Sequence, residues 1–215
     1  MKKLAVLVML VISAAAHAQQ EKQEVSLVFG LNQPLVLHGF NFEANYWTKK
    51  FVIDYSHGFG LRFRDNLVPP EARGQHLAFN ITHSLGVGFG YRFTESFNLR
   101  IEPKLHIWQM YYDDAFRMDG GRIKTYTTYT LGLGAYYRWM PFGNSEGALR
   151  GITIVPSLRW WPNVGSSLKN NEYEYYNLHT EKTEVHRANN IGVSNTSWFV
   201  NVSVGWTFLK NKKGK

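Results

Sequence analysis

The stretch SWFVNVSVGWTF, residues 197–208, decides the fold of this chain. Small or polar side chains alternate there with bulky apolar ones, and Phe199 is the one exception. The bulky set is Trp198, Val200, Val202, Val204, Trp206 and Phe208. A period of two predicts a β-strand with one apolar and one polar face. The pattern leaves open whether the apolar face packs inside a soluble barrel or sandwich, or faces lipid.

The composition limits the class of protein. The chain has 215 residues, a formal net charge of +8, 15% aromatic residues and no cysteine. This length predicts one domain, and the lack of cysteine excludes a disulfide framework. The mean hydropathy is −0.30, and beyond the N-terminal segment no apolar run is long enough for a membrane-spanning helix. The positive charges are scattered, which argues against nucleic acid as a partner.

The N-terminal segment MKKLAVLVMLVISAAAHAQQ has the pattern of a secretory signal peptide. Two lysines precede an apolar run at 4–12, and Ala16-His17-Ala18 fits the small-x-small cleavage rule. We therefore predict cleavage before Gln19. The chain divides into a signal peptide at 1–18, a β-barrel at 19–208 and a basic periplasmic tail at 209–215.

Seven further segments alternate in the same way and bring the number of predicted strands to eight. They are 25–31, 39–47, 51–63, 76–93, 97–111, 122–140 and 149–161. Short turns alternate with longer connections, and the longest connection is 162–196. This layout is typical of bacterial outer-membrane barrels. The sequence thus predicts an all-β, eight-stranded, antiparallel up-and-down transmembrane β-barrel.

The size of the barrel decides which face points outward. An eight-stranded barrel is only wide enough for side chains to fill it, so the many aromatic residues of the apolar face must lie outside, against lipid. A lipocalin-like soluble barrel is the alternative fold. On strands three and four the alternation predicts an outward orientation for Leu61, Phe63, Leu77, Phe79 and Ile81.

The inner face is rich in glycine and carries charges that need partners. We expect these charges to form a polar plug in the lumen. They are Glu43, Asp54, Arg92, Arg100, Glu102, Lys104, His106, Arg138 and Arg159. Two prolines, Pro103 and Pro156, fall in mid-strand, where we expect bulges or gaps in the ladder.

The chain resembles the small eight-stranded bacterial outer-membrane β-barrels, a class that includes OmpX, OmpW and the transmembrane domain of OmpA. The resemblance rests on the signal peptide, the eight strands and the ending Gly205, Trp206, Phe208 of the last strand. It implies an outer-membrane location and recognition of that ending by the barrel-assembly machinery. It also implies contact with outer-membrane lipids and lipopolysaccharide, and a monomer.

Two further patterns hold candidate chemistry. His83 and Ser84 invite comparison with outer-membrane lipid hydrolases, but adjacent strand residues point to opposite faces and do not bond each other. The loop segment HTEKTEVH supplies His179, Glu181, Glu184 and His186, a weak candidate for a divalent-cation site.

These patterns favour a non-enzymatic barrel with a plugged polar lumen and no cofactor. Such a protein contributes to envelope integrity or to surface interaction through its extracellular loops. One alternative is a narrow channel or carrier for small solutes or apolar molecules. Another is an outer-membrane lipid hydrolase.

Overall fold

The computed structural model describes residues 23–63, 67–68, 77–112, 121–178 and 180–208. The predicted signal peptide and basic tail lie outside these residues and stay predictions. Within the described residues, no helix has the length and apolar character needed to cross a membrane. In this part of the chain, a five-residue helix α1 (Asn32–Val36) and three short 3₁₀ turns accompany elements that are otherwise β-strands. The turns are Ala148–Gly151, Lys169–Asn171 and Val193–Asn195.

Eight long or medium strands form the wall of a closed barrel. They are β1 (Glu24–Gly30), β2 (Phe40–Trp47), β3 (Phe51–Phe63), β4 (Leu77–Arg92), β5 (Phe97–Tyr112), β6 (Arg122–Tyr137), β7 (Ile152–Trp160) and β11 (Trp198–Phe208). Each strand pairs antiparallel with its neighbour in the chain order of these eight. The pairing of β11 with β1 closes the ring, with Phe208 opposite Val25. The predicted eight-stranded antiparallel up-and-down barrel is confirmed.

The long connection between β7 and β11 contains three short strands. β8 (Asn163–Ser166) pairs with Thr128–Thr130 of β6 and thereby continues along β6 the ladder that β7 begins. β9 (Glu172–Asn177) and β10 (Lys182–Arg187) form a separate two-stranded hairpin. This hairpin stands on the side of the barrel where the long connections lie, which is the extracellular side in outer-membrane barrels, and we call it the extracellular hairpin.

The outer face of the barrel is apolar. In the last strand, Trp198, Val200 and Phe208 are 57%, 63% and 58% exposed, whereas Asn201 and Thr207 on the opposite face are 1% and 0% exposed. Such an arrangement leaves the bulky side chains without a protein core, and lipid is the environment that suits them. The bulky face therefore points outward.

Both mid-strand prolines interrupt one of their two ladders without shifting the register. The β4–β5 pairing is interrupted opposite Pro103, between Gly86–Lys104 and Phe89–Ile101. On the β6 side of Pro156, the ladder stops at Tyr136–Ser157 and resumes as a single bridge between Trp139 and Ile154. Because proline has no N–H to donate, each gap falls on the side where that hydrogen bond is missing.

The predicted outward orientation is wrong at the extracellular ends of β3 and β4. The structure buries all five apolar side chains there, with exposures of 5% or less: Leu61, Phe63, Leu77, Phe79 and Ile81. Two local irregularities cause the inversion. Gly60 adopts φ +64°, a conformation that glycine tolerates, and the β4–β5 register shifts between Ile81 and His83, which makes Thr82 an extra residue. Such a bulge moves every residue beyond it to the other face.

Candidate functional site

The interior of the barrel at the level of the apolar belt holds a charged network of Glu43, Asp54, Arg100, Glu102, Lys104 and Arg159. Arg100 is its centre. Its Nη1 lies 2.9 Å from Glu43 Oε1 and 2.9 Å from Asp54 Oδ2, and it donates to Asn45 Oδ1 at 2.7 Å. One guanidinium on β5 thereby joins two carboxylates on β2 and β3.

Glu102 is the second centre of the charged network. Its carboxylate accepts hydrogen bonds from the Tyr136 hydroxyl at 2.5 Å and from Trp161 Nε1 at 3.0 Å. Lys104 Nζ lies 3.5 Å from Glu102 Oε1 and donates to Ser56 Oγ at 2.7 Å. The lumen-facing side chains of β3, β5, β6 and the end of β7 are therefore linked through one acid.

The charges of this network cancel. Three carboxylates face three cations, and Arg159 completes the set through Glu43 Oε2 at 3.4 Å. All six side chains are 6% exposed or less. Burying a charge is costly unless it is paired and hydrogen-bonded, and here each charge has an opposite partner. The network is therefore a neutral, filled plug.

Aromatic rings fill the spaces between the charges. The guanidinium carbons of Arg100 and Arg159 lie 3.9 Å and 4.7 Å from the centroid of the Tyr136 ring. Lys104 Nζ lies 4.3 Å from the centroid of Trp161. These distances fit cation–π contacts. Tyr136 and Trp161 were missed from the sequence, although each stands two positions from a predicted lumen residue, Arg138 and Arg159 respectively.

Three of the predicted lumen residues lie outside the charged network. Arg138 forms an ion pair with Glu24 at 2.6 Å at the periplasmic end. Arg92 donates there to the carbonyl groups of Thr48 and Glu95. These two arginines form the floor of the lumen.

His106 is the third, and it lies above the network. Its Nδ1 is 2.8 Å from Ser84 Oγ, and its Nε2 is 3.1 Å from Thr130 Oγ1. Ser84 thus faces a histidine of the lumen, while His83 points to the exterior. A nucleophilic serine needs a base that an acid orients, and here a threonine hydroxyl occupies the second nitrogen. The geometry is that of a structural hydrogen-bond chain.

An apolar cap covers the charged network on the extracellular side. It consists of Leu37, Leu61, Phe63, Val68, Leu77, Phe79, Ile81, Trp108, Met110, Tyr126, Trp161, Tyr173, Tyr175, Ala188, Ile191 and Phe199. The rings of Trp108, Tyr126 and Tyr173 stack in sequence, with centroid distances of 6.2 Å and 5.6 Å. Trp161 stacks on Phe199 at 5.4 Å. The exception in the opening stretch, Phe199, is thus a residue of the cap.

Little space remains where the apolar cap meets the charged network. A cavity of about 20 Å³ lies there, lined by Gln33, Asn41, Ser84, Lys104 and Trp161 among others. That volume holds one water molecule. Among the described residues, the buried Oε1 of Gln33 and Oδ1 of Asn41 have no hydrogen-bond partner, so a water molecule is the natural occupant.

Glu184 organises the extracellular hairpin. Its Oε1 accepts hydrogen bonds from Asn177 at 2.8 Å and Thr180 at 2.9 Å, and its Oε2 accepts one from Tyr175 at 3.0 Å. His186 Nε2 lies 3.5 Å from the same Oε2. Desolvation opposes ionisation, but the hydrogen bonds from Thr180, Tyr175 and Asn177 outweigh it and lower the pKa of Glu184. Burial raises the pKa of Tyr175.

The predicted cation site is only partly within the described structure. His179 lies outside the described residues. Glu181 is exposed with φ +54°, and the structure brings together only Glu184 and His186. The described residues contain no group of three or more His, Cys, Asp or Glu side chains placed to hold a metal ion.

The predicted assembly signal lies at the closure of the barrel. Gly205 is paired with Val28 of β1 and with Thr153 of β7. Phe208 is 58% exposed on the lipid-facing side near the periplasmic end. These residues therefore form part of the seam between the first and last strands.

Comparison with known proteins gives a fold-level likeness. No family model matches the chain, and no curated protein sequence is detectably similar. Two crystal structures of Ail, the attachment invasion locus protein of Yersinia pestis, align with 87% of this chain and 97% of theirs at 12% identity. The TM-scores are 0.39 and, for Ail in complex with the heparin analogue sucrose octasulfate, 0.40.

A likeness this distant says nothing about activity or ligands. The closed ring of eight antiparallel strands and its apolar exterior establish the class. The chain has the fold of the small eight-stranded outer-membrane β-barrels.

Proposed function

We propose that this protein is a non-enzymatic outer-membrane barrel that presents an ordered extracellular hairpin for surface interaction. The main support is the attachment of the extracellular hairpin to the barrel. Tyr173 and Tyr175 of β9 insert their rings into the apolar cap, and the Tyr112 hydroxyl of β5 donates to the Tyr176 carbonyl at 2.5 Å. The hairpin is thereby fixed to the barrel wall.

The outward side of this hairpin carries apolar side chains that the barrel does not cover. Tyr176, Leu178 and Val185 are 50%, 58% and 56% exposed. They lie on the extracellular side, beyond the lipid belt, where water is the solvent. Exposed apolar groups on a rigid element are typical of a contact surface. The filled lumen supports the same proposal, because side chains occupy the path that a solute needs.

The test compares cells that express the wild-type protein with cells that express a polar hairpin, Tyr176→Ser with Leu178→Ser and Val185→Thr. The readouts are cell–cell aggregation and adhesion to surfaces coated with protein or polysaccharide. We expect the wild-type protein to promote one of them and the polar hairpin to lose it. The matched control, Lys49→Ser with Lys50→Ser in a periplasmic turn, is expected to behave as wild type. Equal behaviour of the polar hairpin and the wild type would overturn the proposal.

The two alternatives have their own readouts. A channel would conduct in planar bilayers, and its conductance would change on replacement of Arg100 or Glu102. A lipid hydrolase would shift the mass of outer-leaflet lipid on overexpression. We expect neither signal from the wild-type protein.

A further inference from the structure

Two histidines lie side by side on the outside of the barrel. His57 of β3 and His83 of β4 approach each other with 3.1 Å between His57 Nε2 and His83 Nδ1. Their ring centroids are 5.4 Å apart. His83 is exposed and His57 is partly exposed. Ionisable side chains on an otherwise apolar, lipid-facing surface are expensive and are usually functional.

The pair lies at the outer boundary of the apolar belt. On β4, His83 is adjacent to the bulge at Thr82, on its periplasmic side. In the β3–β4 ladder, His83 is directly opposite Phe59. Beyond this level the same outer face carries Arg62 and Asn80, which pair with each other in the ladder. The two imidazoles therefore lie at the boundary between the hydrocarbon core of the bilayer and its headgroup region.

The surroundings of the pair are largely aromatic. The His57 ring packs against Phe42 and Phe59, at centroid distances of 5.9 Å and 5.8 Å. In the part of the chain that the structure describes, no carboxylate pairs with either imidazole. Neutral imidazole nitrogens are metal ligands. Within the described residues no ion pair occupies the two facing nitrogens, so both are available to a metal.

We propose that His57 and His83 form a bidentate site for a divalent late transition metal at the outer rim of the barrel. Imidazole nitrogens bind Zn²⁺ at about 2.0–2.1 Å, so a separation of 3.1 Å corresponds to an angle at the metal of about 100°. That angle lies between square-planar and tetrahedral values. Imidazole suits Cu²⁺, Ni²⁺ and Zn²⁺, with Cu²⁺ the tightest.

The proton balance of binding is simple. In the metal-free pair, one ring donates its N–H to the lone pair of the other. When a metal enters, the donor ring moves that proton to its other nitrogen, and both facing nitrogens become ligands. No proton is released while both rings are neutral. Water or lipid phosphate oxygens complete the coordination shell from the headgroup side.

The experiment titrates Cu²⁺ into the full chain, produced without a histidine tag, in lipid nanodiscs. Electron paramagnetic resonance counts the nitrogen ligands of each bound copper. We expect one copper with two coupled nitrogens in the wild-type protein. His57→Phe and His83→Phe are each expected to lose one nitrogen and to bind at least about tenfold more weakly, because the second ligand no longer binds intramolecularly. Zn²⁺ is expected to compete for the same site.

The controls separate this site from other histidines and from misfolding. His186→Asn removes the histidine of the extracellular hairpin that lies beside Glu184, and it is expected to leave the copper signal unchanged. Unboiled gel mobility verifies that each phenylalanine variant still forms the barrel, and both substitutions suit a lipid-facing surface. A two-nitrogen signal that survives in either phenylalanine variant would refute the site. So would the absence of a two-nitrogen signal from the wild-type protein in nanodiscs.

Discussion

The charged network and the apolar cap fill the same barrel by opposite means. Around the network, the outer face of the wall meets lipid, so bulky apolar side chains lie outside and small or charged ones inside. Around the cap, the outer face meets water, and the same wall holds Phe63, Phe79 and Trp108 inside. The difference teaches that the inward-facing chemistry of a barrel strand depends on the solvent on its other side.

The change from polar to apolar inward-facing residues occurs at one height on neighbouring strands, and it arises in two ways. In β3 and β4 an irregular residue, Gly60 or Thr82, reverses the faces. In β5 the alternation continues unbroken, but the inward residues change from His106 to Trp108. An irregular residue in β3 and β4 and a change of residue type in β5 thus both give an apolar interior at the level of the cap.

The largest expected effect comes from breaking the charged network. Arg100→Met leaves the carboxylates of Glu43 and Asp54 buried without their shared partner, which is expected to cost about 3–5 kcal/mol. Urea unfolding in detergent, followed by tryptophan fluorescence, measures the loss. The variant Arg100→Met with Asp54→Asn is expected to recover most of it, because two carboxylates again face two cations, Glu43 with Arg159 and Glu102 with Lys104. An Arg100→Met variant as stable as wild type would show that the network does not hold the barrel together.

A truncation in the apolar cap is expected to cost somewhat less. Met110 is fully buried, and Met110→Ala removes its packing and leaves a cavity, for an expected loss of about 2–5 kcal/mol. Amide hydrogen exchange is expected to rise in β9 and β10, which rest on the cap, and to stay low in β1 and β2. Leu131→Ala on the lipid-facing side of β6 is the control, and it is expected to leave exchange in the hairpin unchanged. A uniform rise along all strands would contradict an independent cap.

Trp161 joins the two regions, because it donates to Glu102 at 3.0 Å and stacks on Phe199. Gly132 makes room for it, since a Cβ there would lie 1.8 Å from Trp161 Cδ1. Trp161→Phe keeps the stacking and removes the hydrogen bond to the carboxylate, for an expected loss of about 1.5–3 kcal/mol. The same urea unfolding measures it. A loss as large as that of Arg100→Met would mean that the two regions are one cooperative unit.

The smallest expected effect is the pH dependence of the extracellular hairpin. The lowered pKa of Glu184 stabilises the hairpin above the ordinary glutamate pKa of about 4.3, and this contribution is lost as pH falls through the lowered value. The raised pKa of Tyr175 acts in the opposite direction, so its contribution is present below about pH 10 and is lost above it.

The protection factors of the β9 and β10 amides, which correct for the intrinsic pH dependence of exchange, are therefore expected to fall at both extremes of pH. Glu184→Gln is expected to remove the acid side of this dependence and to weaken the alkaline side, because Glu184 also contributes to the raised pKa of Tyr175. If the hairpin of Glu184→Gln still loses protection at low pH, another carboxylate is responsible for that loss.

The architecture was open to prediction from sequence because its signals are local. Period-two alternation and the spacing of short and long connections are read along the chain, and they indicated eight strands and the outward face. The residues of the charged network were also visible as inward-facing charges at spacing two, such as Arg100, Glu102 and Lys104. Their partners were not visible, because Arg100 and Glu43 lie 57 positions apart in the chain.

The apolar cap was missed for a related reason. A bulge shifts a strand by one residue, and alternation read in a fixed phase places every residue beyond it on the wrong face. Gly60 and Thr82 carry no sequence signal that separates them from the other glycines and threonines of the wall. Two inward-facing aromatic residues were visible traces of the cap: Phe199 in its polar row, and Trp108 two positions beyond His106.

By itself, the sequence indicated a closed wall of eight strands with its bulky side toward lipid, because periodicity marks the strands and a narrow lumen has no space for that many aromatic side chains. Only the tertiary structure decided which charges meet, where the two faces invert, how the hairpin is held on the cap, and that His57 and His83 adjoin. These depend on strand register and on contacts across the barrel, which residues distant in the chain make only after the ring closes.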